Sequence, residues 1–229
     1  MKRILILPLV MITLFFTGCM SENEEYEQEY LELGVISGFS STNFLIKTDS
    51  DLTLYPVESV GTLNVENGMR VLVRYTVIEP AQSQLLEYDY AIKVLAMAEI
   101  ETSKILKVEN QECRDTLKND PVQISSVWIA QHYLNIEFSF TGNNKQHYFY
   151  VARDPEKQSD EEDAPIILDF HHNANGDLNY TTYHSVISVP IWELQDMSSA
   201  SVKIRFVSSD EYSTAYTRDL EYKYVEQEE

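Results

Sequence analysis

The chain has 229 residues and carries 37 acidic against 17 basic side chains, which gives a formal net charge of −20 at pH 7. Apolar residues make up 44% and only two cysteines are present, which excludes a disordered chain and a scaffold held by disulfides. Binding to nucleic acid is also excluded, because so acidic a surface repels phosphates and the sequence offers no basic stripe.

The N-terminal segment has the form of an export signal. A basic head precedes an apolar run at residues 4–16, which is too short to span a membrane as a helix. The run ends in Phe16-Thr17-Gly18-Cys19, which resembles the lipobox of bacterial lipoproteins, whose cysteine is acylated when the signal is removed. We therefore predict a signal peptide at 1–18 and a lipid anchor, such as palmitate, that holds Cys19 in the outer membrane. An ordinary cleaved signal followed by a chance cysteine is the alternative.

Residues 19–33 are predicted to form an acidic tether, because six of them are glutamates. Two interpretations stay open. The segment is a solvated spacer, or, since Ser21 and acidic residues follow the cysteine closely, it resembles a surface-export signal of lipoproteins in Gram-negative gut and oral anaerobes. The mature protein is accordingly expected either on the cell surface or facing the periplasm.

The next part of the chain is predicted to be a small barrel. From residue 34 onward apolar and polar residues alternate almost everywhere, which is typical of half-buried strands and predicts an all-β protein. About five strands within 34–108 favour a Greek-key barrel of the OB type. They are expected near 34–39, 43–48, 52–55, 69–78 and 88–98, and a short helical turn is expected within 102–108.

A β-sandwich is predicted at 119–229, after a polar linker at 109–118. Seven short strands separated by turn residues support it. They are expected near 121–128, 132–141, 145–153, 165–172, 180–189, 201–208 and 216–225. A second helical turn is expected at 191–195, entered at Pro190.

Several stretches in this order are similar to the NigD-like lipoproteins. Besides the lipobox, they are 69–77, 119–122 leading to Trp128-Ile129, 132–136 and 168–173. One strand that reads Leu-Arg-His-Asn in the family is Phe170-His171-His172-Asn173 here. The resemblance implies an OB-like barrel followed by a β-sandwich, and the family name, taken from a bacteriocin locus, implies an immunity or accessory role. It carries over no catalytic residues.

The motifs of the common enzyme classes are missing from the sequence, which contains no nucleophile elbow, zinc-protease helix, phosphate-binding loop or Cys-x-x-Cys pair. We therefore predict a protein that binds rather than catalyses and has no cofactor. A glycosidase stays open, because it needs only two suitably spaced carboxylates. Acylation of Cys19 leaves Cys113 unpaired, and its acidic neighbours predict an inert thiol.

The histidines are predicted to be structural. His171 and His172 are neighbours in a strand and so point to opposite faces, which prevents them from sharing a metal. His147 and His184 could join one of them across strands. Asn173, Asn175 and Asp177 have the alternating oxygens of a calcium loop, but Asn-Gly-Asp is also ordinary hairpin-turn chemistry, which we favour.

Tyrosines supply the candidate binding face, which consists of Tyr133, Tyr148 and Tyr150. Exposed aromatic rings on a rigid sheet suit a protein partner or a glycan, although half-buried sandwich edges also use tyrosine. Thr116, within Asp115-Thr116-Leu117, resembles an O-glycosylation site of exported proteins from the same bacterial group. The predicted function is binding of a protein partner, with a surface glycan-binding module and a hydrolase as alternatives.

Overall fold

The computed structural model describes residues 28–40, 43–81, 87–161, 163–196, 198–209 and 216–223. The predicted signal peptide, Cys19 and the first part of the predicted tether lie outside the described residues. Within them, a closed barrel is followed by two packed sheets, which confirms the predicted all-β fold. No helix in this described part of the chain is long and apolar enough to cross a membrane.

Five strands close the N-terminal barrel in the order β1-β2-β3-β5-β4, and β1 pairs with β4 to complete the ring. They are β1 (Glu29–Ser40), β2 (Asn43–Thr48), β3 (Thr53–Ser59), β4 (Arg70–Pro80) and β5 (Tyr90–Glu99). Their alternate residues are buried in one core, which includes Ile46, Val73 and Ile92. All five strands coincide with predicted ones.

Glycine is needed where β1 bends toward β2. Gly38 has a φ of +153°, and the pairing between the two strands shifts between Gly38 and Ser40. A Cβ atom at Gly38 would lie 2.6 Å from Phe44 Cα, so any side chain would collide with backbone. This bulge bends β1 and thereby helps to close a barrel of only five strands.

The C-terminal domain is a sandwich of two sheets, ordered β14-β13-β11-β10-β7 and β6-β12-β9-β8. All seven predicted strands are present, as β8 (Gln123–Ala130), β9 (Tyr133–Gly142), β10 (Tyr148–Arg153), β11 (Ile166–Asn173), β12 (Thr181–Pro190), β13 (Ser201–Ser208) and β14 (Tyr216–Lys223). The helical turn expected after Pro190 is a 3-10 helix at Trp192–Leu194. Between the sheets lies an apolar core that includes Phe138, Phe170 and Phe206.

Two short strands extend the sandwich at its beginning. They are β6 (Glu101–Thr102) and β7 (Ile105–Lys107), and each runs parallel to a longer strand at the edge of a sheet. The helical turn predicted within 102–108 is therefore wrong. These strands have two and three residues, which is too few to show a period of two in the sequence.

The elements also begin and end differently from the predicted domain limits. Strand β1 starts at Glu29, inside the predicted tether. Tyr30 stacks on Tyr75 at 5.4 Å, and Glu32, on the same face of the strand, accepts a hydrogen bond from the Tyr75 hydroxyl at 2.8 Å. The expected linker contains helix α1 (Gln111–Thr116), which begins where the Asn110 side chain accepts a hydrogen bond from Cys113 N. Residues 100–108 leave the barrel and enter both sheets of the sandwich.

A buried polar network joins the barrel to the sandwich. Arg70, the first residue of β4, is 1% exposed and donates two hydrogen bonds to Asp49, at 2.7 and 2.6 Å. The same guanidinium donates to Asn135 Oδ1 on β9 at 2.9 Å and to Ser188 Oγ on β12 at 3.1 Å. Because one side chain bonds both domains, their relative orientation is held by directional contacts.

Candidate functional site

The end of the sandwich farthest from the barrel is open. Strand β9 begins at Tyr133, beside the Arg70 network, and reaches Gly142 about 30 Å away at ~3.4 Å per residue. Two loops, 143–147 and 174–180, surround this far end, and the first four residues of β12 are exposed there. We call this region the distal site.

Aromatic rings form the floor of the distal site. Phe140 on β9 stacks on Tyr183 of β12, with ring centroids 5.5 Å apart, and contacts Phe149 of β10 at 5.0 Å. The His147 ring lies 4.7 Å from that of Phe140. These strands place every second residue between the sheets, and the inward residues are aromatic where β9 ends and where β10 and β12 begin. The Tyr183 hydroxyl donates to Asn143 O at 3.2 Å, so the ring is held at both its face and its tip.

Two histidines, one of them the His147 of this floor, form a hydrogen-bonded chain with an aspartate. His172 Nδ1 lies 2.9 Å from Pro121 O and 3.2 Å from Asp120 O, so it carries a proton and leaves Nε2 as an acceptor. His147 Nδ1 lies 2.8 Å from His172 Nε2 and therefore donates to it. His147 Nε2 lies 3.3 Å from Asp177 Oδ2, which can only accept.

These contacts link His172 to His147 and His147 to Asp177 in one chain. Hydrogen bonds from backbone N–H groups, first that of Asn143 at 2.6 Å, hold the pKa of Asp177 well below its usual range. Burial lowers the pKa of His172, which keeps that ring neutral and able to accept. The chain ties the 143–147 loop to the 174–180 loop, and so fixes both walls of the distal site.

A cavity of about 400 Å³ opens between these walls. Its polar lining includes Glu101, Asn144, Lys145 and Ser185, which we call the rim, and Asp177, whose carboxylate is bonded to the 143–147 loop. Lys145 Nζ donates to Gly176 O at 2.8 Å and to Asn175 O at 3.2 Å.

Beside the cavity lies a group of exposed apolar side chains, which we call the apolar patch. It consists of Leu178, Tyr180 and Tyr183, which are 57%, 73% and 40% exposed. Tyr183 belongs both to the patch and to the cavity wall. The distal site thus offers an apolar surface next to a polar-rimmed cavity.

The predicted calcium residues form a turn. Asn173 Oδ1 accepts a hydrogen bond from Asn175 N at 2.8 Å, and Asn175 and Gly176 both have positive φ. The sequence predicts that this turn joins a hairpin. That part of the prediction is wrong, because β11 and β12 belong to different sheets. Asp177 faces the 143–147 loop instead. Among the described residues, no group of three or more His, Cys, Asp or Glu side chains could hold a metal ion.

The predicted tyrosine face is divided between two sheets. Tyr148 and Tyr150 lie on β10 of the five-stranded sheet, whereas Tyr133 lies on β9 at the barrel junction. There the Arg70 guanidinium lies over the Tyr133 ring, with Cζ 4.7 Å from the ring centroid, and the ring also packs against Trp192. The structure therefore does not bring the three tyrosines together, and Tyr133 is occupied by a contact between domains.

The predicted histidine pair, Thr116 and Cys113 lie on separate parts of the sandwich and of helix α1. His172 points into the sandwich, whereas His171 points outward and its Nδ1 lies 2.7 Å from Asn119 Oδ1, so the two have opposite faces as expected. Thr116 is exposed at the end of α1, and Cys113 is a half-buried free thiol. Modification of Thr116 stays a prediction.

Comparisons place the chain among known folds. A family model described as the NigD-like C-terminal beta sandwich domain matches residues 104–222. Among curated proteins, none matches the sequence significantly.

Solved structures share both domains. A candidate toxin-related protein from Parabacteroides distasonis is 23% identical, with a TM-score of 0.71 over 86% of this chain and 94% of that one. A NigD-like immunity protein from Bacteroides caccae is 21% identical, with a TM-score of 0.68 over 85% and 96%. A candidate lipoprotein from Bacteroides fragilis is 14% identical, with a TM-score of 0.68 over 87% and 100%. At these identities the likeness shows the fold alone.

Proposed function

The chain belongs to the NigD-like family, and from that premise we propose that it is a non-enzymatic lipoprotein of the cell envelope that binds a protein partner in an immunity-like or accessory role. The observation that carries the proposal is the apolar patch. Large apolar side chains on a fixed support mark interaction sites, and exposed tyrosine is enriched among the residues that dominate binding. The immunity-protein name of the Bacteroides caccae structure supports the same role.

The negative charge of the chain favours a basic partner. With a formal net charge of −20, the protein attracts a basic surface and repels an acidic one over several ångströms. A basic protein whose interface has an apolar centre would be attracted by the negative charge of this chain and would pack on the apolar patch. Electrostatic attraction of this kind raises the association rate and weakens with salt.

The start of β1 and the apolar patch lie on opposite sides of the junction between the barrel and the sandwich. In the β1–β4 pairing, Glu29 is opposite Thr76 and Val35 is opposite Arg70, so β1 starts about 20 Å from the junction at ~3.3 Å per residue. The distal site lies beyond the junction, at the far end of the sandwich. An anchor on Cys19 would therefore hold the patch away from the outer membrane.

A photo-crosslinking amino acid placed at residue 180 in living cells tests the partner. The same amino acid at residue 148 is the matched control, because Tyr148 is also exposed but belongs to the outer face of the other sheet. We expect a protein adduct from position 180 and none from position 148. Once the partner is purified, Tyr180→Ala is expected to weaken binding roughly tenfold. An adduct from position 148 alone, or from neither, would contradict the assignment.

Location is tested by protease treatment of intact cells, with lysed cells as the control. Cleavage of the domains before lysis assigns the partner to the cell exterior. Protection until lysis assigns it to the periplasm and makes the acidic segment a spacer only.

A further inference from the structure

We propose that the cavity behind Tyr183 is a binding site for one residue of a neutral saccharide, in addition to the protein partner assigned to the apolar patch. Its volume of about 400 Å³ falls within the range of roughly 300–1,000 Å³ of small-molecule sites. It lies on strands of the sandwich and on loops tied together by the histidine–aspartate chain, so its shape is set before any ligand arrives.

The floor and one wall of the cavity are apolar and flat. Phe140, Phe149 and His147 supply the floor, and the polar atoms of His147 are consumed by His172 and Asp177. The Tyr183 ring is fixed by stacking on Phe140 and by the bond from its hydroxyl to Asn143 O. A pyranose ring has an apolar face of C–H groups that suits such a surface.

Several polar side chains of the same cavity keep hydrogen-bonding capacity for a ligand. The Glu101 carboxylate makes no ion pair with another described residue and offers two acceptor oxygens. Lys145 spends two of its three N–H groups on loop carbonyls and keeps one donor. Asn144 and Ser185 add an amide and a hydroxyl. The polar groups and the aromatic rings thus line one cavity, and a ligand with an apolar face and several hydroxyl groups can use both.

The charges of the site disfavour the other small ligands that stack on aromatic rings. The net charge of −20 opposes a nucleotide or another phosphate. A cation held over the rings would need free carboxylates, but Asp177 is bonded to the backbone N–H groups of Asn143 and Lys145, and the Lys145 ammonium offsets the charge of Glu101. A neutral ligand with one flat apolar face and several hydroxyls meets every feature of the cavity.

The test uses the full chain purified from membranes in a detergent without a sugar head group. Saturation-transfer NMR is run with methyl glycosides of glucose, galactose, mannose and N-acetylglucosamine, and with their di- to tetrasaccharides, so that a single sugar and a glycan chain are distinguished. For the sugar that binds, we expect Tyr183→Ala and Glu101→Gln each to weaken binding roughly tenfold or more. Glu101 is exposed, so its variant tests the site even where Tyr183→Ala unfolds the edge of the sandwich.

Two further variants separate this site from its neighbours. Trp192→Ala removes an exposed aromatic ring at the barrel end and is expected to leave saccharide binding unchanged. Tyr180→Ala changes the apolar patch without touching the cavity, and we expect it to affect the protein partner only. Absence of binding to every sugar, or binding that survives both Tyr183→Ala and Glu101→Gln, would overturn the proposal and leave the protein-binding role standing. Loss of saccharide binding in Tyr180→Ala alone would also overturn the proposal, because the sugar would then bind to the apolar patch and not in the cavity.

Discussion

Replacement of Arg70 by methionine is expected to cost far more stability than any exposed ion pair of the protein. The change removes four hydrogen bonds from the guanidinium and leaves the Asp49 carboxylate with only Asn135 Nδ2, at 3.3 Å. Loss of one partner from a buried ion pair typically costs roughly 3–5 kcal/mol. The Asp49 side chain keeps 13% exposure and so some hydration, which places the expected loss near the lower end, at about 3 kcal/mol.

The assay is urea unfolding followed by two probes. Both tryptophans, Trp128 and Trp192, lie in the sandwich, so their fluorescence reports that domain, whereas circular dichroism reports both. In the unaltered protein the two curves are expected to coincide. In Arg70→Met they are expected to separate, because the contact that couples the domains is gone.

Arg205→Met is the matched control. Arg205 makes the same two-point contact with Asp219, at 2.7 and 2.9 Å, but on an exposed surface. Exposed pairs of this kind contribute about 0.2–1 kcal/mol. If Arg70→Met cost no more than Arg205→Met and the two probes still coincided, the network would not be what couples the domains.

Three further outcomes are expected. Because burial lowers the pKa of His172 in the folded protein, the unfolded chain takes up its proton first, so the melting temperature should fall as the pH drops below about 6.5; a melting temperature constant between pH 8 and 5.5 would contradict this. The Arg114 guanidinium holds the pKa of Asp154 at about 2, so stability should fall again between pH 4 and 2, and Asp154→Asn should make that second loss smaller in acid titrations; an unchanged loss would contradict this. Mass spectrometry of the membrane-extracted protein should find acyl chains on Cys19, lost in Cys19→Ser, and a glycan on Thr116, lost in Thr116→Ala; an unmodified Thr116 would remove that assignment.

Strand positions could be predicted from the sequence because burial in a sheet repeats every second residue. Leu134, Ile136 and Phe138 alternate with polar residues over a whole strand, and that regularity identified β9 and its burial together. Strands of two or three residues, such as β7, are too short to show this alternation, and the sequence wrongly predicts a helical turn there.

The distal site depends on pairings that a single sequence does not show. Tyr183 meets Phe140 because β12 and β9 pair in that register, across more than 40 residues of chain. His147 reaches His172 because β10 and β11 pair in a hairpin. The sequence alone therefore indicates Tyr148 and Tyr150 as a binding face, and it cannot indicate Tyr183 without the register. The sequence signal that indicates this site is the concentration of aromatic and histidine residues where β9 and β11 end and where β10 and β12 begin.

A protein tethered at one end and holding a partner at the other is a mechanical link. Tension from an anchor on Cys19 would enter the barrel at Glu29 and act along the axis of β1. That strand lies between β2 and β4, and it is paired with β4 through seven residues, Glu29 to Val35. The ladder bonds are perpendicular to the strands, so such a pull loads them together in shear rather than opening them one by one. The strain then reaches the sandwich by two routes, the covalent connection at residues 100–108 and the hydrogen bonds from Arg70 to β9 and β12, so the polar junction shares the load with the backbone.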